Sequence, residues 1–287
     1  MAPPATALLV TDLDGTLLEG GVAHPRALDC LRDLPALGVV RVAATGRSTH
    51  AYQRLAFAEA PPLDYLIVSS GAGVFELPSE ERGQPRLLHQ TELHAQEVAS
   101  ARRALEEADL DFMIHPPVPG EHRFAYRVSA ASRQSRAANP DFWRRVELHP
   151  EARPLPREAS PGEATGLLAV IPEPHGEATW RSLMERLPGL TVLRTTSPLD
   201  GASTWIEIFP EAVSKSQSSA WLARRLGIPW RKSLCLGNDF NDLDLLAWGA
   251  TAFVVEGSPS ELSQRYAQIP GPRRGGLADG VQRWLPT

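Results

Sequence analysis

Two stretches of this 287-residue sequence alternate short, continuously apolar runs with helical patterns, and a long segment of different texture separates them. In the first stretch, Ala7 to Asp12, Val39 to Ala44 and Leu63 to Ser69 read as buried strands. Helical patterns lie between them. One is His24 to Leu37, with Pro25 in its first turn and Gly38 as its stop; the other is Ser48 to Glu59, with Ser48 in the capping position. In the second stretch, Trp205 to Phe209, Ser233 to Leu236 and Thr251 to Val255 read as strands, and Ser214 to Leu226 and Asp239 to Trp248 as helices. Strand, helix, strand in this rhythm predicts a parallel sheet covered by helices on both faces. A single α/β domain interrupted by an insertion accounts for both stretches.

The segment between them is rich in Pro and Arg and has shorter elements. Glu92 to Asp109 reads as a helix, and Phe124 to Ser129 and Leu167 to Ile171 as strands. Pro116 to Gly120 and Pro150 to Pro161 read as loops, giving an inserted α+β domain. Apolar residues make up 43% and charged residues 22%, the composition of an ordinary globular protein. The net charge of −5 argues against a general nucleic-acid partner and leaves room for a locally positive pocket for a small anion. No run approaches the roughly 20 apolar residues that a membrane helix needs. The opening MAPPATALLVTDLD lacks the basic start of a leader, and two well-separated cysteines, Cys30 and Cys235, read as reduced core thiols. The expectation is a cytoplasmic protein, a monomer or a homodimer.

Four loops carry chemistry, and each follows or adjoins a strand end, where loops of a parallel sheet converge on one crevice. Asp12-Leu13-Asp14-Gly15-Thr16 closes the first strand with two carboxylates on one side. Like charges so close need a positive group nearby, and a metal ion is the natural one. Asp12 has the chemistry to attack phosphorus and Asp14 to move a proton. Gly15 permits a sharp exit with backbone N–H groups turned toward a phosphate. Thr45-Gly46-Arg47 offers a hydroxyl and an amide to a phosphate oxygen, and Arg47 either reaches substrate or forms a surface salt bridge. Lys215 stands at a helix N-terminus, where the helix dipole opposes it, so an anion is expected between it and the helix amides. Gly237-Asn238-Asp239-Phe240-Asn241-Asp242 packs oxygen donors into one turn, as a hard divalent cation requires, although Asn241-Asp242 also suits plain helix capping.

In order and context these motifs resemble the haloacid dehalogenase superfamily of phosphohydrolases, over about residues 5–75 and 200–285. The long insertion, and the ending GGLADGVQRWL, resemble the branch with a large type II cap, which holds Cof-type sugar phosphatases and sucrose-phosphate phosphatases. The resemblance implies a Rossmann-like parallel-sheet core over residues 1–75 and 200–287. It implies an inserted α+β cap over 76–199 that sets specificity and closes to exclude water. By the same resemblance Asp12 is the phosphoryl-accepting nucleophile, Asp14 the acid/base, and Thr45 and Lys215 the groups that hold the phosphoryl oxygens. Gly46 and Arg47 bind substrate, and Mg2+ is held by Asp12, Asp14, Asn238 and Asp242.

One position departs from the pattern. The family places an acid directly after the glycine of the last loop, and here that residue is Asn238. Three accounts are open: Asn238 ligates through its amide oxygen with Asp242 supplying charge, Asp239 turns inward instead, or metal affinity is lost. The implied activity is Mg2+-dependent hydrolysis of a small phosphorylated sugar through an aspartyl phosphate. Sucrose 6-phosphate and glycosyl-3-phosphoglycerates are examples of such substrates. The rivals are a sugar phosphomutase and a sugar-phosphate-binding protein on a weakened scaffold. Elsewhere the eight histidines show no metal spacing, and of His115, His122, His149 and His175 in the insertion at most one is expected to meet substrate. Trp180, Trp205, Trp221 and Trp248 read as core, and Arg123, Arg127, Arg133 and Arg136 as a solvated face or an anion-steering one.

Overall fold

The computed structural model describes residues 4–55, 59–78, 83–156, 158 and 162–285. It divides into two compact units: residues 1–47, 52–90 and 214–287 form one, and 48–51 with 91–213 the other.

The first unit is built on an eight-stranded sheet. From one edge its strands run Ala267–Ile269, Thr251–Val255, Ser233–Gly237, Ala7–Thr11, Val39–Ala44, Tyr65–Val68, Gly73–Glu76 and Arg86–Gln90. The first six are parallel and the last two turn back antiparallel. Ala7–Thr11 lies in the interior of the sheet, with Val10 opposite Cys235 on one side and Val42 on the other. All five of its residues are buried, which is why its sequence is apolar without alternation. Leu8, Val10, Val42, Ile67 and Cys235 pack with Leu222 and Leu245 of two covering helices. Cys235 is thus a core thiol, while Cys30 is half-buried; both are free.

Helix boundaries follow local chemistry. Pro25–Asp33 starts on the His24 ring, which accepts from the Arg26 N–H, and a tighter turn, Leu34–Leu37, ends at Gly38 in the left-handed region (φ 70°). The predicted helix from Ser48 is described only as Thr49–Gln53, and residues 56–58 lie outside the described residues. The predicted helix from Asp239 is a tight turn, Phe240–Asp242, followed by Leu243–Trp248.

The second unit holds a six-stranded sheet in the order Arg153–Pro154, Ala125–Arg127, Phe112–His115, Gly166–Ile171, Thr204–Pro210, Leu190–Thr196. Leu167, Ala169 and Ile171 face Val98, Leu105 and Leu183 on the helices Ala95–Glu107 and Gly176–Arg186. Leu168 and Val170 face the other way, onto Phe124, Phe142 and Trp205.

Two boundaries differ from those expected. The strand predicted at Trp205 belongs to this second sheet, pairing antiparallel with Val170 opposite Trp205, so residues 200–213 lie outside the core. Residues 76–90, assigned to the insertion, remain in the core unit, because Arg86–Gln90 returns against Gly73–Glu76. An apolar strand reads alike in either sheet, and its partner is set by residues far away in sequence. Ser48–Ala51 also joins the second unit. The Thr49 N–H and hydroxyl donate to Glu121 Oε1 (2.9 and 3.2 Å), and His50 stacks on His122 at 4.3 Å.

Candidate active site

Three strands of the first sheet, Ala7–Thr11, Val39–Ala44 and Ser233–Gly237, lead at their C-terminal ends into the loops bearing Asp12, Thr45 and Asn238. The Asp12 N–H donates to the Leu236 carbonyl (2.9 Å) and the Thr45 N–H to the Ile67 carbonyl (2.9 Å), so the ladder carries each loop's first residue in register. Lys215 comes from the helix Lys215–Leu226, which Ser214 caps by accepting from the Gln217 N–H.

The ammonium of Lys215 is completely buried and donates to Asp12 Oδ1 at 2.7 Å and to Asp242 Oδ1 at 2.6 Å. Burial alone would lower the Lys215 pKa; the two carboxylates override that and raise it. Burial pushes the Asp12 carboxyl up to about 7, helped by Asp242 and Asp14 and opposed by Lys215. One lysine and two aspartates are therefore shut away from water, and with both acids ionised they carry a net charge of −1 that calls for one more positive charge.

Asp242 was expected to ligate metal, and the structure gives it other work. Its Oδ1 takes the ammonium, and its Oδ2 accepts from the backbone N–H groups of Asn238 (2.8 Å) and Asp239 (3.1 Å). With both oxygens engaged and the residue fully buried, it clamps Lys215 and shapes the loop. Asp239 does not turn inward; its carboxylate accepts from the Phe240 N–H at 2.8 Å and caps the next turn.

The expected anion between Lys215 and the helix amides is also replaced. Asp244 accepts from the Ser216 N–H at 2.8 Å, so a carboxylate of the protein occupies that end of the helix. Sequence reasoning missed this residue, and it missed what lies behind the helix. Gly71 sits at φ +119°, and a Cβ there would come within 2.3 Å of the Ser214 carbonyl. The Ser218 hydroxyl donates to the Gly71 carbonyl at 2.6 Å. The Ser-Ser-Gly loop also braces Thr45-Gly46-Arg47, through Ser69 N–H to the Arg47 carbonyl (2.9 Å) and Ser70 N–H to the Thr45 carbonyl (3.0 Å).

Arg47 forms the salt bridge that was one of its two readings, but with a site residue. Its Nε and Nη2 grip Asp14 Oδ2 (2.5 Å) and Oδ1 (2.7 Å), a two-point contact that fixes the orientation of the carboxylate. The buried Thr45 hydroxyl accepts from the Arg47 N–H at 3.1 Å, and Gly46 is exposed between them. The Asn238 amide completes the group. Its inner end lies 3.2 Å from Asp12 Oδ2, 3.0 Å from the Asp14 carbonyl oxygen and 3.0 Å from Thr16 Oγ1.

For a hard cation the donors at this spot are all oxygens: Asp12 Oδ2, the Asp14 carbonyl and, with the amide oxygen inward, Asn238. That set suits Mg2+ in kind and lacks one negative charge. Among the described residues no group of three His, Cys, Asp or Glu side chains is disposed to hold a metal, since the third position here is an amide.

In the second unit His115 and His149 serve packing. Nδ1 of His115 lies 2.7 Å from the Glu121 carbonyl and Nδ1 of His149 lies 2.9 Å from the Arg145 carbonyl, and both rings tilt against Phe124. Two arginines of the basic stretch are neutralised in place, Arg127 by Glu106 and Arg136 by Glu147, and Arg133 donates to the Val128 carbonyl.

Comparison with known proteins agrees with this fold. BT1666 from Bacteroides thetaiotaomicron, described as a phosphatase of the haloalkanoate superfamily, is 16% identical and superposes with a TM-score of 0.72, over 97% of this chain and 95% of that one. BT4131, described as a sugar phosphatase of subclass IIB, is 16% identical with a TM-score of 0.71, over 97% and 99%. A haloacid dehalogenase-like hydrolase from B. subtilis is 18% identical with a TM-score of 0.71, over 98% and 100%. At these identities the likeness is one of fold. No curated protein sequence matches this one. No helix among the described residues is long and apolar enough to cross a membrane. The sequence profile of the haloacid dehalogenase-like hydrolases matches residues 9–269, and with that the chain belongs to this family.

Proposed function

We propose that this hydrolase is a Mg2+-dependent phosphomonoesterase that works through an aspartyl phosphate at Asp12. The observation that carries the reading is the buried Lys215 ammonium held between Asp12 and Asp242. It keeps one oxygen of a carboxylate fixed at a strand end and places a positive charge where phosphoryl oxygens would gather. Asp12 attacks phosphorus, and the bond from phosphorus to the ester oxygen breaks. The departing oxygen takes a proton from Asp14. Asp14 then takes a proton from water as that water attacks phosphorus, and the bond to Asp12 breaks to release inorganic phosphate. Lys215 and the Thr45 hydroxyl hold phosphoryl oxygens, and Arg47 orients Asp14. Mg2+, when held by Asp12, the Asp14 carbonyl and Asn238, would supply the charge needed to neutralise the phosphate.

For the substrate we propose a small phosphorylated sugar or sugar derivative, selected by the second unit. The motif resemblance supports this, as does the fold shared with a sugar phosphatase. A second reading, a sugar-phosphate-binding protein without turnover, draws on Asn238 and its missing charge. The test is release of inorganic phosphate from p-nitrophenyl phosphate and from a panel of sugar phosphates, with and without Mg2+. The expectation is Mg2+-dependent release that Asp12→Asn abolishes while the circular dichroism of the fold is unchanged. Turnover retained in Asp12→Asn would overturn the nucleophile assignment. Tight sugar-phosphate binding with no release at any Mg2+ concentration would establish the second reading instead.

A further inference from the structure

The inner end of the Asn238 amide faces Asp12 Oδ2 and the Asp14 carbonyl oxygen at 3.2 and 3.0 Å. The Asp14 carbonyl oxygen has no proton to share, and Asp12 Oδ2 has none when its carboxyl is ionised. An amide oxygen turned toward them would set three acceptors against one another, whereas the NH2 group satisfies both with its two hydrogens. The third neighbour, the Thr16 hydroxyl, lies at 3.0 Å in either orientation: it donates to the amide oxygen in one and shares an NH2 hydrogen in the other. Gly15 makes the close approach possible, since a Cβ there would lie 2.7 Å from the amide.

We propose that Asn238 is a built-in stand-in for the cation. In the metal-free protein its NH2 group bridges Asp12 and the Asp14 carbonyl. A metal ion enters only as the amide turns over, trading two donated hydrogen bonds for one oxygen ligand. The inference rests on the reading that Asp12, Asp14 and Asn238 hold the metal, and it adds what this chain does without one. A carboxylate at position 238 cannot play the part. It has no proton to give, and it would set a second negative charge beside Asp12. The exchange of acid for amide therefore stabilises the metal-free protein and weakens its hold on Mg2+, so that occupancy follows Mg2+ concentration over a higher range than an acid at that position would allow.

The experiment compares wild type with Asn238→Asp in three measurements, none of which needs turnover. Thermal unfolding in EDTA should show Asn238→Asp melting below wild type, and saturating Mg2+ should reverse the order. Calorimetric titration should show Asn238→Asp binding Mg2+ at least about tenfold more tightly, the effect of one added ligand charge. In wild type, the side-chain NH2 resonance of Asn238, assigned by its loss in the variant, should move as Mg2+ is added. Should Asn238→Asp fail to fold in EDTA, recovery of the fold on adding Mg2+ supports the proposal, and failure to recover overturns it. Equal melting in EDTA, equal affinity, or an amide resonance untouched by bound Mg2+ would overturn the stand-in while leaving Mg2+-dependent phosphate release intact. Absence of Mg2+ binding in both proteins would overturn the metal reading along with it.

Discussion

Replacing Lys215 with Met removes the ammonium and keeps most of the apolar stem. Two carboxylates are then left in the interior, one of them fully buried. Breaking a buried ion pair by deleting one partner costs about 3–5 kcal/mol. The lower end applies here, because Asp242 Oδ2 keeps its two backbone N–H donors. For a folding unit of this size, about 3 kcal/mol corresponds to a melting temperature roughly 6–12 °C lower. The loss should depend on pH with a definite sign. Burial already holds the Asp12 carboxyl above its unfolded value and the ammonium opposes that rise, so without the ammonium Asp12 moves higher still and the folded variant gains a proton preferentially as the pH falls. The deficit should therefore be large near about pH 7.5 and shrink near about pH 5. Differential scanning calorimetry of wild type and Lys215→Met at both pH values measures it. Unfolding of the variant together with wild type near neutral pH, or a deficit that grows on acidification, would refute the claim that this ammonium neutralises the paired acids.

Other perturbations test separate parts of the account. Gly71→Ala should lower stability by about 2 kcal/mol or more, combining a left-handed backbone with a Cβ driven into the Ser214 carbonyl, and should cut activity by displacing Lys215; a variant with wild-type melting and turnover would disprove the bracing role. Arg47→Lys should lower kcat by roughly tenfold with little change in stability, because an ammonium cannot reproduce a two-point grip on Asp14; unchanged kcat would remove Arg47 from the mechanism. Burial and the nearby Arg145 push His115 down to about 3 and His149 down to about 4. The unfolded chain protonates these rings below about 6.5, whereas the folded one does not, so their contribution is intact above that pH and is lost as pH falls toward 4, by no more than about 1.4 kcal/mol per pH unit for His115. Thermal unfolding between neutral and acid pH should show this slope, and His115→Phe should flatten it; an unaltered slope would show that the ring titrates freely.

The core was legible where local signals sufficed. Ala7–Thr11, Val39–Ala44 and Ser233–Gly237 announce themselves as strands by unbroken apolar runs, because burial on both faces erases alternation. The acids and the asparagine stand out because such groups are rarely placed at the ends of buried strands without a task, and the lysine because it stands at a helix N-terminus that disfavours it. What stayed hidden depends on long-range pairing. Thr204–Pro210 has the pattern of a core strand, and only its partners, Gly166–Ile171 and Leu190–Thr196, assign it to the other sheet. Asp242 looks like a metal ligand until its three partners, Lys215 Nζ and the Asn238 and Asp239 N–H groups, are seen to use both oxygens; those contacts were invisible because capping and ligation demand the same residue type. Gly71 carried no signal of its own, since its contact with Ser214 spans more than a hundred residues. Glu121, which holds Thr49, gave no signal, since a lone acid in a Pro- and Gly-rich loop is ordinarily solvated.

The nucleophile is the claim to which every other role is attached, and trapping it is the most direct test. Enzyme mixed with substrate and Mg2+, quenched in acid during turnover and reduced with borohydride, should yield a peptide in which Asp12 alone has become homoserine, the mark of an acyl phosphate at that side chain. Phosphate released with no modification at Asp12, or with the label on another residue, would contradict the account.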